Sequence, residues 1–540
     1  MAVAILSAVA MGRPALSPND ESSDKLLAPR LFCQPPTPLA KSGANIMMIG
    51  DSISMGSSGY SLFVQQMLQT ATGGTLAGSV QHGGGFGGGG QMASSSNGAN
   101  KVADCMGNAT GALPPKAWSV ITYNAGLHDC DTKEFVTPEQ YAFNLKAVFE
   151  TLKPAASAVG FVTTTPYDMP LTNGVPPYPA GINMSCVLER NEIARAVIAE
   201  VGGVFVDDLY AYVEDFCHVF PSDPATSPYP GNYTTCAIQT TGLHFFTARP
   251  YPSGQQYTAL SVASQALTNV PEHEISNATA DSDVARVPNL TAPALTDCGN
   301  PPAPLNKSLP NVLIIGDSIS EPGSGYGPGV EAILENPVVQ NRGPLASVQH
   351  SGGSGSNQAG PTTNGAACAA SWVGHEKWDV ITVNFGIHDC APGGDGRPNG
   401  SIVPAAEYIA NLKTIYGVLH DALAPGGTIL WVSTTPVSST AAAPFAGKGP
   451  AGWGSLGECI SQYNTAAAAT LGLLADVEMI DLHSAVTEVC GVEYDQCNLQ
   501  LWSNVHFTTA GKQFCAVQVA AGIAPRLNNA WRHLLNETRL

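Results

Sequence analysis

Short apolar runs bounded by glycine or proline alternate along this chain with longer segments of helical pattern. "NVLIIG" (311–316), "SVQH" (347–350), "DVITVN" (379–384), "TILWVSTT" (428–435) and "VEMIDL" (477–482) read as strands, with helix-like stretches between them. Runs that are apolar at successive positions, rather than at every second one, suit strands covered on both faces, which is the habit of parallel sheets. Strands alternating with helices predict an α/β fold of three layers, α/β/α, around a central parallel sheet of about five strands.

The pattern occurs twice. "NIMMIGDSIS" (45–54) returns as "NVLIIGDSIS" (311–320), and "GDSISMGSSGY" as "GDSISEPGSGY". "SVQHGGGFGGGG" (79–90) returns as "SVQHSGGSGSNQAG" (347–360), and "WSVITYNAGLHDC" (118–130) as "WDVITVNFGIHDC" (378–390). "FVTTTP" (161–166) pairs with "WVSTTP" (431–436), "VFVDDL" (204–209) with "EMIDL" (478–482), and "GLHFFT" (242–247) with "NVHFTTAG" (504–511). Ser52 precedes His244 by 192 residues and Ser318 precedes His506 by 188. The chain therefore reads as a leader (1–40), a first domain (41–268), a linker rich in Pro, Thr, Asn and Asp (269–308) and a second domain (309–540). At 540 residues, two domains are also what length alone leads one to expect.

Twelve of the 13 cysteines keep the same register. Cys33, Cys105, Cys130, Cys186, Cys217 and Cys236 correspond to Cys298, Cys368, Cys390, Cys459, Cys490 and Cys497, so three disulfides per domain are expected, with the pairing left open. Cys130 and Cys390 are each expected to be bridged within their own domain. Cys515 is left over, in a helical stretch, and reads as a buried free thiol. Sequons at Asn108, Asn183, Asn232, Asn277, Asn289, Asn306, Asn399 and Asn536 point with the cysteines to an oxidising, secretory environment and a glycosylated linker. "MAVAILSAVAM" has the length of a signal-peptide apolar region without a basic start, and is read as a weak or truncated signal peptide. No stretch reaches the roughly 18 apolar residues of a transmembrane helix. A formal charge of −19 argues against nucleic acid or an anionic membrane surface as partner. There is no C-x-x-C pair and no Cys/His cluster at zinc spacing, so no metal or cofactor is implied.

Ligands of open α/β sheets bind beyond the carboxyl ends of the strands, and the repeated blocks fall there. Ser52 and Ser318 follow the first strand of each copy, a glycine run follows the second, Asn124 and Asn384 close the third, and His244 and His506 stand before the final helix. These are the parts of acyl transfer. A serine on a strand-to-helix turn exposes its hydroxyl, an imidazole in reach takes its proton, and glycine backbone or an amide side chain donates to the oxyanion. G-D-S alone is a set of turn formers; the ordered series, present twice, is what carries weight. His82 and His350, beside the glycine runs, read as packing residues or as supports behind the site rather than as catalysts, and Asp207, Asp208 and Asp481 as structural residues at strand ends, where an Asp often caps the next helix.

The ordered blocks resemble the SGNH hydrolase superfamily, also called the GDSL esterase/lipase family, whose four namesakes lie in this order on a flavodoxin-like sheet. The resemblance covers both domains. It implies a serine esterase with Ser52 and Ser318 as nucleophiles and His244 and His506 as bases. Its oxyanion glycines would be Gly87 and Gly355, with Gly85 and Gly353 as rivals. Two departures stand out. The family's G-x-N-D reads "GLHD" and "GIHD" here, which places His128 and His388 at the usual asparagine position and Asn124 and Asn384 four residues earlier; either kind of residue can donate to an oxyanion. The family's Asp three residues before the base is replaced by Thr241 and Ser503, so a Ser-His dyad is expected. Asp495 precedes His506 by eleven residues, but its counterpart in the first copy falls near Thr234. The expected substrate is a short acyl, acetyl-type ester, carried on carbohydrate or on a small molecule. An O-acyltransferase on the same fold and a non-catalytic carbohydrate-binding protein are the competing readings.

Overall fold

The structure is a computed structural model that describes residues 38–40, 43–54, 59–70, 76–83, 94–106, 115–131, 135–166, 184–217, 254–271, 274, 298, 302–322, 325–335, 344–351, 359–391, 402–437, 456–491, 497, 499–501 and 505–527. Five strands come from the first repeat: β1 (Ala44–Ile49), β2 (Ala77–Gly83), β3 (Trp118–Asn124), β4 (Ala156–Val162) and β5 (Val204–Asp207). They form one parallel sheet in the order β2-β1-β3-β4-β5. The second repeat supplies β6 (Asn311–Ile315), β7 (Ser347–Ser351), β8 (Trp378–Val383), β9 (Leu423–Val432) and β10 (Val477–Ile480), again parallel, in the equivalent order β7-β6-β8-β9-β10. The α/β architecture and the parallel sheet expected from the apolar runs are both present, twice.

Helices cover both faces. In the first repeat they are α1 (Ser61–Gln65), α2 (Ser95–Cys105), α3 (Pro138–Leu152), α4 (Met184–Val201), α5 (Leu209–Cys217) and α6 (Gly254–Thr268). In the second they are α7 (Gly327–Glu335), α8 (Thr362–Val373), α9 (Ile387–Cys390), α10 (Ala405–Asp421), α11 (Leu456–Leu471), α12 (Leu482–Cys490) and α13 (Thr509–Ile523). Strand β1 shows why a run that is apolar throughout is needed. Its successive side chains point to opposite faces, so Ile46 and Met48 join one apolar core while Met47 and Ile49 join another.

The second of these cores, beneath α2, α3 and α4, belongs to the first repeat alone, whereas the first runs on into the second repeat. Helices α6 and α13, the last of each repeat, account for that continuity. A helix buried on nearly every side lies between two layers, and α6 is buried from Gly254 through Ser264. On α13 most positions between Ala510 and Ile523 are buried. The polar residues in this layer find each other: Ser264 Oγ donates to Gln518 Oε1 at 2.6 Å, and Gln518 Nε2 donates to the Ser264 carbonyl and to Thr268 Oγ1. Gln256 Nε2 donates to the Ile333 carbonyl on α7 at 2.7 Å, and the Tyr212 hydroxyl on α5 to the Ala521 carbonyl at 2.8 Å. Residues 32–540 accordingly make one compact unit.

Described residues at both ends of the linker are bound to the repeats. Glu274 accepts from Ser119 and Ser157 at the amino-terminal ends of β3 and β4, while Cys298 is bridged to Cys368 of α8.

Candidate active site

Ser318 follows β6 on a turn fixed by the preceding aspartate. Asp317 Oδ1 accepts the Ile319 N–H at 2.9 Å, and the Asp317 carbonyl accepts the N–H groups of Ser320 and Glu321. The first repeat repeats the device around Ser52, with Asp51 Oδ1 accepting the Ile53 N–H at 2.8 Å. Glycine precedes each aspartate because the turn is tight: a side chain at Gly50 or Gly316 would meet the hydroxyl of Ser54 or Ser320. Burial raises both aspartates above the ordinary carboxylate range, Asp317 to about 7. A protonated His128 would pull Asp51 the other way.

In the second repeat the nucleophile and base candidates meet. His506 Nε2 lies 2.8 Å from Ser318 Oγ, across 188 residues of chain. Ser318 is 3% exposed. Burial and the Lys512 ammonium both push the imidazole down, to about 4. The ring is therefore neutral at neutral pH, and with its proton on Nδ1 it accepts the Ser318 O–H at Nε2. Ser52 is half-buried at the matching position, and His244 lies outside the described residues, as do Thr241, Ser503, Thr234, Asp495 and the glycines Gly85, Gly87, Gly353 and Gly355.

The other candidates come to the same rim. Asn124 and Asn384 are buried, and each gives one amide hydrogen to the last carbonyl of the neighbouring strand: Asn124 to Val162 and Asn384 to Val432, both at 2.8 Å. Asn124 Nδ2 also reaches the Thr163 carbonyl at 3.4 Å, and these amides fasten β3 to β4 and β8 to β9. His128 opens a single 3-10 turn, His128–Cys130, and His388 lies in α9, 2% exposed. The glycine before each of these turns adopts a conformation that other residues avoid, φ +135° at Gly126 and +148° at Gly386, and a side chain there would meet Thr164 or Thr434. Each turn is then pinned by a disulfide to the helix that follows the next strand, Cys130 to Cys186 and Cys390 to Cys459. Both bridges lie within one repeat, as expected. Cys490–Cys497 is a further bridge, and Cys515 is free and buried.

No family model and no curated protein matches the sequence. Solved structures do. They are hydrolases. LAE5, an α/β hydrolase from the metagenome of Lake Arreo, is 14% identical over 42% of this chain and 97% of its own, with a TM-score of 0.29. Axe2, an acetylxylan esterase from Geobacillus stearothermophilus, is 18% identical over 39% of this chain and 94% of its own, with a TM-score of 0.30. A lipase/acylhydrolase from Enterococcus faecalis is 18% identical over 41% of this chain and 97% of its own, with a TM-score of 0.29. Likenesses this remote carry no functional conclusion, and the fold is read from the two sheets themselves.

Several supporting residues escaped the sequence reading. Asp129 and Asp389, next to the histidines of the "HD" pair, accept both the N–H and the hydroxyl of the first residue of the helix that precedes β3 or β8: Ser95 of α2 and Thr362 of α8. Each ties the helix that ends the glycine block to the histidine turn, and burial lifts Asp129 to about 6. Asn191 and Asn464 each pair twice with the backbone of one threonine, Thr164 or Thr434, just past the sheet. The spacing Cys186-x4-Asn191, repeated as Cys459-x4-Asn464, was the available signal. Burial drives both His82 and His350 down to about 4. His82 meets Ser54 Oγ at 3.0 Å, and His350 meets Glu331 at 3.3 Å as a neutral ring rather than an ion-pair partner. Asp481 caps α12 through the Ser484 N–H, and Asp208 accepts from Ala211. Asp207 caps nothing. It turns inward, where Ser261 Oγ of α6 donates to it at 2.7 Å and burial holds its carboxyl up at about 7. Among the described residues no cluster of His, Cys, Asp or Glu could hold a metal ion, and no helix is long and apolar enough to cross a membrane.

Proposed function

We propose that the chain is a secreted serine ester hydrolase acting on short acyl esters, acetyl-type, carried by carbohydrate, with Ser318 as nucleophile and His506 as base in the second repeat and Ser52 and His244 as the equivalent pair in the first. The observation that carries the reading is the 2.8 Å contact between Ser318 Oγ and His506 Nε2 at the carboxyl end of a parallel sheet. Ser318 Oγ bonds to the acyl carbon as its proton passes to His506 Nε2. The carbonyl oxygen becomes an oxyanion that Gly355, Asn384 or His388 would meet in this repeat, and Gly87, Asn124 or His128 in the other. Collapse expels the alcohol, which takes the proton from His506, and a water molecule deprotonated by the same ring releases the acid. Disulfides in both repeats and the eight sequons support a secretory route, and with it an extracellular substrate.

The test uses the full chain with Ser52→Ala, Ser318→Ala and the double variant, each exposed to a fluorophosphonate probe and assayed for acetate release from acetylated oligosaccharide and from p-nitrophenyl acetate. Labelling confined to the two serines, with activity abolished in the double variant, is the expected outcome. Undiminished hydrolysis by the double variant defeats the proposal. Release from p-nitrophenyl acetate alone keeps the esterase and removes the carbohydrate.

A further inference from the structure

Gln500 stands six residues before His506, on the short ribbon that carries the candidate base. Residues 499–501 pair antiparallel with 506–508: Gln500 bridges to Phe507, the Leu501 N–H donates to the His506 carbonyl at 3.0 Å, and the Thr508 N–H to the Leu499 carbonyl at 2.9 Å. These bonds shape the ribbon without saying where it sits. Among the described residues, one side chain of the ribbon bonds to backbone at the end of the sheet. Gln500 Nε2 donates to the Pro436 carbonyl at 2.5 Å, and Pro436 lies four residues beyond the end of β9.

Stability accounts poorly for a glutamine here. The residue is 5% exposed, and its amide oxygen is buried without a hydrogen-bond partner, a cost that leucine or methionine of similar size would not incur. What an apolar side chain could not do is hold the ribbon at a fixed distance from the strand end. The two repeats also share the residue at the same offset from a cysteine, Cys497-x-x-Gln500 and Cys236-x-x-Gln239, although Gln239 lies outside the described residues.

We propose that Gln500 is a positioning residue for His506: its bond to Pro436 sets the base at hydrogen-bonding distance from Ser318. The proposal rests on the Ser-His reading given above. Gln500 touches neither the nucleophile nor the transferred proton. Its effect is on geometry, and displacements of about 1 Å in a reacting pair can cost on the order of 100-fold in rate.

The experiment is steady-state hydrolysis of p-nitrophenyl acetate by the full chain carrying Ser52→Ala, which leaves only the second site, with Gln500→Leu and Gln500→Glu added singly. Gln500→Leu is expected to lower kcat roughly 10- to 100-fold with KM little changed, and to leave the thermal midpoint near that of the parent because the unsatisfied acceptor goes with the lost donor. Gln500→Glu supplies the decisive readout. Ionised at pH 8, its carboxylate cannot donate to the Pro436 carbonyl and should be as slow as leucine. Burial at this position raises a carboxyl above its ordinary range; as pH falls and it protonates it can donate, and kcat should rise toward the parent value while Gln500→Leu stays flat. Parent-like kcat in Gln500→Leu, or parallel pH profiles for the two variants, overturns the proposal. If Gln500→Leu lowers the thermal midpoint as well, the comparison of pH profiles still decides. Failure of the underlying reading looks different: Ser318→Ala in the same background would then keep its activity.

Discussion

If His506 is the base proposed for the second site, it should set the acid limb of that site's pH profile. A general base works only while unprotonated, so kcat/KM should fall as pH drops through the pKa of the free enzyme's imidazole. In water a histidine titrates near 6.5. Here burial, and after it the Lys512 ammonium, hold the ring at about 4. At pH 5 a ring of pKa 4 is about 90% neutral, whereas an ordinary histidine is only about 3% neutral, a difference of roughly 30-fold in competent enzyme. The assay is kcat/KM for a neutral ester between pH 3.5 and 8 in the full chain carrying Ser52→Ala. The expected profile is flat from neutrality down to about pH 5. Lys512→Met should move the limb upward, because a cation that disfavours the imidazolium has gone. The move should stop well short of 6.5, because burial is the larger cause. A wild-type limb near 6.5, or a limb that moves down in Lys512→Met, would refute the assignment of these two causes.

Asp207→Asn tests a buried acid of the first repeat. Between about pH 4 and 7 the folded state holds a proton on Asp207 that the unfolded chain has released, so wild-type stability falls as pH rises through that window. The variant should match or slightly trail wild type at pH 4 and exceed it by on the order of 1 kcal/mol or more at pH 8, measured by urea unfolding at the two values. Gln518→Leu removes the amide that bridges α6 and α13, leaving buried Ser264 without its acceptor, and should cost about 1–3 kcal/mol in a single unfolding transition seen equally by probes in both repeats; two separated transitions would mean the helical layer does not couple them. Cys459→Ser frees Cys390 and releases the turn that bears His388 from α11, so activity at the second site should fall more than at the first, read from labelling of Ser318 against Ser52. Ser503→Asp adds a carboxylate three residues before His506, the position where the sequence resemblance leads one to expect an acid; it should lift the acid limb toward neutrality and raise the rate, and an unchanged limb would exclude an acid-limited dyad.

The sheets were legible because their strands are apolar at successive positions, a pattern that helices on both faces require, and because each was written twice. The Ser318–His506 pairing was legible for the second reason: order and spacing recur within a few residues over nearly two hundred. What could not be read was how the polar residues around the site divide their hydrogen bonds. Asn384 looks on sequence like an oxyanion donor, yet one of its amide hydrogens goes to Val432. The neighbouring aspartate, unremarkable in sequence, is the side chain that binds α8 to the histidine turn through Thr362. Asp207 misled because an Asp-Asp pair at a strand end offers two caps, and only Asp208 faces the helix that follows. The choice depends on α6, which arrives some fifty residues later and brings Ser261 to the inward acid.

A base with a pKa near 4 is always ready and intrinsically weak, and the architecture bears on both properties. Weakness costs driving force in the proton transfer, so rate has to come from geometry, from a hydroxyl already in line with the imidazole and a base that does not wander. The structure invests in that geometry. Asp317 fixes the nucleophile turn, Asn384 and Asn464 fasten the ends of β8 and β9, and Cys490–Cys497 and Gln500 hold the ribbon that brings His506 over the rim. Beyond His506 the chain enters α13 directly, capped by Thr508, and α13 is clamped against α6 of the other repeat. The equivalent helix α6 opens ten residues after His244. The second repeat's candidate base thus stands before a helix packed on α6 of the first repeat, which gives a physical reason for the two copies to be joined in one chain: separated, each would expose a helix whose side chains are now largely buried.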